Sequence, residues 1–216
     1  MKLGKLSLLT ILSVSAISTS LMGEVEVSAN ISAVNNYVWR GMTQTNNTAA
    51  IQGGFDVDMN GFYVGTWTSN VDFSEGQGKG DIEVDGYVGY SGELATLEYD
   101  LGFIRYGYLT DSSLNGNEIY FSLSKNFGLI SFGATYSKGL EDVPDDIALN
   151  TSIVVMQDYN FDLAYGHYDQ NGEYYSIGLS KSFDKIDFSL IYHNFSPEDL
   201  GSENQKNVVV GVGTSF

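Results

Sequence analysis

Residues 51–71 read IQGGFDVDMNGFYVGTWTSNV and hold the pattern that decides the fold. Before Asn60-Gly61, apolar residues recur at every second position, which is the period of a β-strand with one apolar face. Asn-Gly is a preferred sequence for a two-residue hairpin, because both turn residues need a positive φ. The stretch therefore predicts two antiparallel strands joined by a tight turn. The polar face of the first strand carries Gln52, Gly54, Asp56 and Asp58.

The same alternation continues along the chain and defines twelve strand segments. Most have the roughly 9–11 residues that a strand needs to cross a bilayer. The connections tend to alternate between short turns, such as 184–185, and longer loops, such as 36–48. This alternation is typical of an outer-membrane barrel, whereas a soluble β-sandwich does not need it. The predicted segments are 25–36, 49–59, 62–73, 81–91, 97–108, 118–125, 129–138, 147–156, 161–168, 173–183, 186–194 and 207–216.

The composition agrees with a membrane barrel. The 216 residues include 25 Gly, 2 Pro and no Cys, which excludes disulfides and Cys-ligated metals. Acidic residues number 27 against 10 Lys and Arg, so the basic surface that nucleic acid requires is missing. Aromatic residues cluster near strand ends, as interfacial girdles require, and Tyr63 and Tyr90 are examples. We predict an all-β fold: a single antiparallel up-and-down transmembrane β-barrel of about 12 strands.

The N-terminus has the pattern of a secretory signal peptide. Two lysines precede an apolar run over residues 6–17, and small residues follow it. The run is too short for a helix that spans a bilayer. We predict a signal peptide over residues 1–23, cleaved between 20 and 23, and a barrel over residues 24–216 in the cell outer membrane.

Strand parity assigns acidic side chains to the inside of the barrel, near both of its mouths. Rings of carboxylates on a low-dielectric wall concentrate cations, as in a cation-preferring pore. Solvated rim charges that set no selectivity are an equally good interpretation. The pore-lining candidates are Asp56, Asp58, Glu98, Asp100, Asp162 and Asp187 near the periplasmic mouth, and Asp81, Glu83, Asp85, Glu118 and Glu173 near the outer mouth.

Two arginines stand out against this acidic interior. Strict alternation would point Arg105 at lipid, at a cost of about 2–4 kcal/mol near the midplane. A bulge at Phe103-Ile104 would turn Arg105 inward as a pore-lining residue, where it either shapes a constriction or pairs with a wall carboxylate. Trp39 and Arg40 lie in the first long loop. Arg40 either enters the barrel as a plug or ligand contact, or anchors the loop by packing and hydrogen bonding.

A run of short motifs begins with Tyr37-Val38-Trp39-Arg40-Gly41. It continues with Gln44-Thr45, with residues 51–56 and 61–67, and with Ser69-Asn70-Val71 and Gly89-Tyr90-Ser91-Gly92. Over roughly residues 27–110 these motifs resemble the TorF-type porin family. The resemblance implies an outer-membrane β-barrel of pore function, with substrates that are mostly undefined. It supplies no catalytic residues.

The two histidines, His167 and His193, are the residues to consider for a catalytic role. His193 shares a strand face with Ser189 and Asp187, but four residues of extended chain place the serine and histidine too far apart to hydrogen-bond. The chain has no Gly-x-Ser-x-Gly pattern, and two isolated histidines make a weak metal site. We therefore predict no enzyme activity, no metal and no cofactor.

The sequence as a whole predicts a porin for passive diffusion of small polar or cationic solutes through a narrow acidic lumen. Twelve strands lie between the eight that side chains fill and the 16–18 of a wide channel. The expected partners are outer-membrane lipid, the solutes, and the outer-membrane assembly machinery through the C-terminal strand ending in Phe216. The alternative is a closed barrel whose long outer loops bind a surface partner or stabilise the envelope. The solute, the oligomeric state and the openness of the lumen are left open.

Overall fold

The structure, a computed structural model, describes residues 25–73, 81–141, 143–199 and 201–216. Twelve antiparallel strands of these residues close into one up-and-down barrel. The predicted signal peptide, residues 1–23, lies outside the described residues. The barrel strands are β1 (Glu26–Val34), β4 (Ala50–Met59), β5 (Phe62–Val71), β6 (Asp81–Leu94), β7 (Leu97–Tyr106), β8 (Gly116–Asn126), β9 (Ile130–Leu140), β10 (Asp146–Met156), β11 (Tyr159–Tyr168), β12 (Gly172–Phe183), β13 (Ile186–Pro197) and β14 (Gln205–Ser215).

Each predicted segment corresponds to one barrel strand, so the predicted fold class is confirmed. The turns between consecutive strands at one end are tight, and Asn60 and Gly61 have φ of 55° and 86°, as the Asn-Gly hairpin requires. We call this end, where β1 begins and β14 ends, the inner rim. The long loops gather at the other end, the outer rim. The first of them, residues 35–49, contains two short strands, β2 (Val38–Trp39) and β3 (Met42–Thr43), and the loop after β7 contains a 3-10 turn (Ser112–Leu114).

The outside of the barrel is apolar. Large hydrophobic side chains point away from the lumen on every barrel strand, and more than a third of each is exposed. An apolar band of this extent is the surface that lipid covers in membrane barrels. In the described part of the chain, no helix is long and apolar enough to cross a membrane. Examples of the outward residues are Ile31, Phe55, Val64, Val84, Leu101, Phe121, Phe132, Leu149, Leu163, Ile177, Leu190 and Val210.

The predicted bulge at Phe103-Ile104 is wrong. β7 pairs with β6 and β8 without a register shift, so the alternation continues through the strand. Ile104 faces the lumen at 2% exposure, and Arg105 faces outward, where it donates a hydrogen bond to Asn117. Arg105 is the next-to-last residue of β7 and lies at the outer rim. A cation on the lipid side costs only about 0–1 kcal/mol near the interface, so no bulge is needed.

Glu173 and Tyr63 also lie on the side opposite to the predicted one. Glu173 is the second residue of β12 and shares the outward face with Tyr175, so it does not line the lumen. Because it lies at the outer rim, its charge stays close to water. Tyr63 points inward and hydrogen-bonds Asp100, so it is a lumen residue and not a girdle residue.

Candidate functional site

The first long loop folds into the outer end of the barrel. Strands β2 and β3 form a two-residue hairpin with Arg40-Gly41 at its tip. We call residues 36–45 the lumen hairpin. Arg40 and Gly41 have φ of 46° and 81°, the values of a type I′ turn. A Cβ on Gly41 would lie 2.8 Å from the Cβ of Tyr174 on the barrel wall, so the tip needs glycine for both space and backbone conformation.

Arg40 forms the ionic centre of the lumen hairpin. Its Nη1 and Nη2 donate to the two carboxylate oxygens of Glu118 at 2.7 and 2.9 Å, and its Nε lies 3.4 Å from Oδ2 of Asp146. The guanidinium also lies over the rings of Trp39 and Tyr168, 4.2 and 4.7 Å from their centroids. Burial alone would lower the pKa of Arg40, but the two carboxylates raise it above its ordinary value. Arg40 therefore stays charged and holds the hairpin through a bidentate ion pair.

Neutral contacts attach the hairpin to other parts of the wall. Nδ2 of Asn36 donates to Oδ1 of Asn207 on β14 at 3.1 Å. The ring of Tyr37 packs edge-on against Trp67 of β5, with 5.3 Å between centroids. Together with Arg40, these contacts fix the hairpin across the outer mouth. The loop therefore lies inside the barrel and Arg40 anchors it; a role of Arg40 in contacting a ligand stays a prediction.

The predicted acidic residues, with the exception of Glu173, lie on the lumen face. Asp146 joins them and was missed, because its strand was predicted to begin one residue later. Among the described residues, Arg40 is the one lysine or arginine that points into the lumen. A role of these acids in a conducting pore stays a prediction. The inward acids include Asp56, Asp58, Asp81, Glu83, Asp85, Glu98, Asp100, Glu118, Asp146, Asp162 and Asp187.

In the inner half of the lumen, hydroxyl groups are the partners of the carboxylates. Tyr63 donates to Asp100 at 2.6 Å and also contacts the hydroxyl of Tyr120. Tyr87 donates to Asp56 at 2.5 Å. Serine hydroxyls do the same for three more acids of this half: Ser124 donates to Glu98, Ser152 and Ser180 to Asp162, and Ser182 to Asp187.

Four inward tyrosines each lie against a glycine directly opposite on the neighbouring strand. A Cβ built on any of these glycines would lie 2.2–2.4 Å from the tyrosine side chain. The glycines therefore let the rings lie along the wall instead of across the lumen. The pairs are Tyr63 with Gly89, Tyr87 with Gly65, Tyr120 with Gly102, and Tyr174 with Gly166.

We expect Gly102→Val to narrow the lumen. The new side chain would overlap the ring of Tyr120 and push it off the wall, at a cost of about 1–3 kcal/mol in unfolding free energy. Single-channel conductance in a planar bilayer should fall. Gly86→Val is the matched control, because a Cβ at Gly86 points outward and meets nothing within 4 Å. Equal conductance of the two variants would contradict this role of the glycines.

The two histidines lie on opposite sides of the wall. His193 is buried in the lumen, and His167 faces outward, 3.8 Å from Glu198. Within the described ranges, neither ring hydrogen-bonds a serine hydroxyl, and no cluster of three or more His, Asp or Glu is arranged to hold a metal ion. The described residues therefore present a polar, acidic lumen with a hairpin across one mouth.

Comparisons with known proteins agree with this architecture. The barrel is similar to the KdgM porin, with a TM-score of 0.64 and 14% identity over 88% of this chain and 99% of that one. It is also similar to the NanC porin, with a TM-score of 0.58 and 11% identity over 87% and 98%. Outer membrane phospholipase A from Escherichia coli matches with a TM-score of 0.57 and 10% identity over 87% and 95%. Identities this low show the fold alone.

Sequence comparison gives a family but no characterised relative. The profile described as "Bacterial protein of unknown function (Gcw_chp)" matches residues 19–206. No curated protein matches the chain.

Proposed function

The chain belongs to the Gcw_chp family of bacterial proteins of unknown function, and we propose that it works as a narrow outer-membrane porin. One observation carries the proposal: a closed twelve-stranded barrel that is apolar outside and acidic inside. Small polar or cationic solutes would diffuse passively through the lumen, past the constriction that the lumen hairpin forms. The resemblance to TorF-type porins agrees with this function.

A preference for cations follows from the partners of the lumen acids. Arg40 is already neutralised by Glu118 and Asp146. Asp56, Asp100 and Asp162 of the inner half receive hydrogen bonds from tyrosine and serine hydroxyls, which stabilise a carboxylate without cancelling its charge. The lumen of the described residues is therefore net negative, and its low-dielectric wall strengthens the field that a passing ion meets.

Because the lumen is acidic, we do not propose for this barrel the ligand that the KdgM porin binds. The KdgM porin has been solved in complex with disordered oligogalacturonate, which is a polyanion. A chain of carboxylates would be repelled by Asp56, Asp100 and Asp162 along the inner half. We therefore propose cationic and uncharged polar solutes for this barrel.

The test is single-channel recording of the refolded protein in a planar bilayer under a KCl gradient. We expect discrete conductance steps with a reversal potential on the cation-selective side. Asp58→Asn removes one inward charge and should move the reversal potential toward zero. Glu173→Gln removes the same charge from the outward face and should leave it unchanged. Absence of steps from protein that is folded and inserted would contradict the open pore.

The lumen hairpin gives one specific reason for a second candidate, a closed barrel whose long outer loops bind a surface partner or stabilise the envelope. The hairpin crosses the outer mouth and is held by a buried ion pair. In that case the barrel would be silent in the bilayer, and trimming the outer loops would abolish its activity in the cell.

We also propose that the protein is exported by its signal peptide and acts in the outer membrane without enzyme activity, metal or cofactor. The assembly machinery would recognise the last strand, where Phe216 is exposed and its main chain pairs with Ala29. Because outer membrane phospholipase A shares the fold, an assay with a phospholipid ester tests the non-catalytic assignment directly. Hydrolysis above a blank would overturn it.

A further inference from the structure

One wall of the lumen carries a line of aromatic rings. Tyr63 and Trp67 of β5 and Tyr87 of β6 point inward and are half-buried, so part of each side chain is open to the lumen. The ring centroids of Tyr63 and Tyr87 lie 6.5 Å apart, and Trp67 contacts Tyr37 of the lumen hairpin. We call these four residues the aromatic strip. It runs from the lumen hairpin toward the inner rim, and Tyr63 and Trp67 are about 13 Å apart along β5.

Carboxylates lie beside the aromatic strip on the same wall. Asp56 accepts a hydrogen bond from Tyr87 at 2.5 Å, and Asp100 accepts one from Tyr63 at 2.6 Å. Asp58 of β4 is directly opposite Tyr63 on the inward face and is half-buried. Hydrogen-bond acceptors therefore lie next to aromatic rings along this wall.

The opposite wall, on β9–β14, has a different lining. In its inner half the inward residues are mainly small, and Gly133, Ser152 and Ser180 are examples. In the part of the chain that the structure describes, the inward aromatic side chains of that wall lie at its outer end. Aromatic surface in the inner half is therefore confined to one side of the lumen.

A pyranose sugar combines the two kinds of surface that this wall would bind. Its C–H groups form an apolar face that packs on an aromatic ring, whose own face is electronegative. Its hydroxyl groups, at the edge of the sugar ring, donate hydrogen bonds to carboxylates. The carboxylates alone would serve an inorganic cation, which leaves the length of the aromatic strip unexplained.

We propose that the aromatic strip binds short linear saccharides without negative charge, and that amino sugars bind more tightly than neutral sugars. The strip is longer than one sugar ring, so successive aromatic rings would hold successive sugar units. Asp56, Asp58 and Asp100 would attract an ammonium group on the sugar and repel a uronic acid. This inference rests on the proposed porin function and names the class of solute that the lumen would select.

The test is interruption of the single-channel current by added solutes. We expect brief, concentration-dependent interruptions with the trimer of glucosamine and with maltotriose, and the residence time should be longer for the glucosamine trimer. Trigalacturonate should produce none, because it is an anion. A polyethylene glycol of the same hydrodynamic size lacks the sugar faces and should stay for a shorter time than maltotriose.

Trp67→Leu keeps an apolar side chain but removes the aromatic face. The residence time of maltotriose should fall about three- to tenfold. Phe132→Leu is the matched control, because it removes an aromatic ring from the outward face and should leave the residence time unchanged. An unchanged residence time in Trp67→Leu, or equal residence times of maltotriose and polyethylene glycol, would overturn the proposal.

Tryptophan fluorescence separates this inference from the porin function. The sequence has two tryptophans, so Trp39→Phe leaves Trp67 as the reporter in the folded full chain in detergent. We expect a saturable change with maltotriose and none with polyethylene glycol, and this readout also decides the matter if Trp67→Leu does not fold. A saturable change in a barrel without conductance steps would contradict only the porin function. Conductance steps without sugar interruptions or a fluorescence change would overturn only the saccharide proposal.

Discussion

Arg40→Ala is expected to release the lumen hairpin and widen the outer mouth of the barrel. Deleting the guanidinium leaves Glu118 and Asp146 buried without their cation. Removing one partner of a buried ion pair costs about 3–5 kcal/mol. The barrel can avoid this cost by undocking the hairpin, since the twelve-stranded ladder closes without it. Single-channel conductance should rise and the current should become noisier.

Three further variants distinguish the loss of the ion pair between Arg40 and Glu118 from a general effect of removing a charge. Arg40→Lys keeps the charge but loses the bidentate geometry, so its conductance should lie between those of the parent and Arg40→Ala. Glu118→Gln should act in the same direction as Arg40→Ala. Arg105→Ala removes an arginine from the outward face and should change nothing. If folded Arg40→Ala conducts like the parent, the hairpin is not the constriction.

The barrel itself could be predicted from the sequence, because its strands are specified locally. A period of two, interrupted by turn residues such as Asn60-Gly61, decides where each strand lies. The side assigned to Glu173 was wrong because this residue shares the parity of the outward Tyr175, so the alternation itself places it on the outside. The side assigned to Arg105 was wrong because of its depth in the barrel. The predicted segment 97–108 placed Arg105 deeper than the observed strand, Leu97–Tyr106, does. Depth sets the cost of an outward charge, and depth is a property of the closed barrel.

The lumen hairpin could be predicted only in part. The sequence indicates Trp39 and Arg40 as candidates, but β2 and β3 are two residues each, too short to give a periodic pattern. The partner of Arg40, Glu118, is 78 residues away in sequence. Such contacts are fixed by barrel closure, so no local pattern predicts them. A search for inward tyrosines opposite inward glycines would have found the Tyr63–Gly89 pair once the register was known.

The second large effect concerns the lipid face. Ile177 lies at the middle of β12, points outward and is 43% exposed. Ile177→Arg should lower the unfolding free energy in lipid vesicles by about 2–4 kcal/mol, because the guanidinium would sit near the bilayer midplane. Urea titration of the vesicle-inserted protein, followed by tryptophan fluorescence, measures this loss.

Ser176, the neighbour of Ile177, offers a matched substitution that tests whether the outer face of the barrel lies in lipid and the inner face lines a polar lumen. Ser176 lies at the same depth but faces the lumen, so Ser176→Arg places the same cation in a polar, acidic space. We expect a much smaller loss of stability there, together with a weaker cation preference, since one lumen charge is cancelled. The natural Arg105, outward but at the rim, shows that the chain accepts an exterior arginine where the membrane ends. Equal destabilisation by the two substitutions would mean that the outer face is not in lipid, and both the membrane location and the porin function would then fail together.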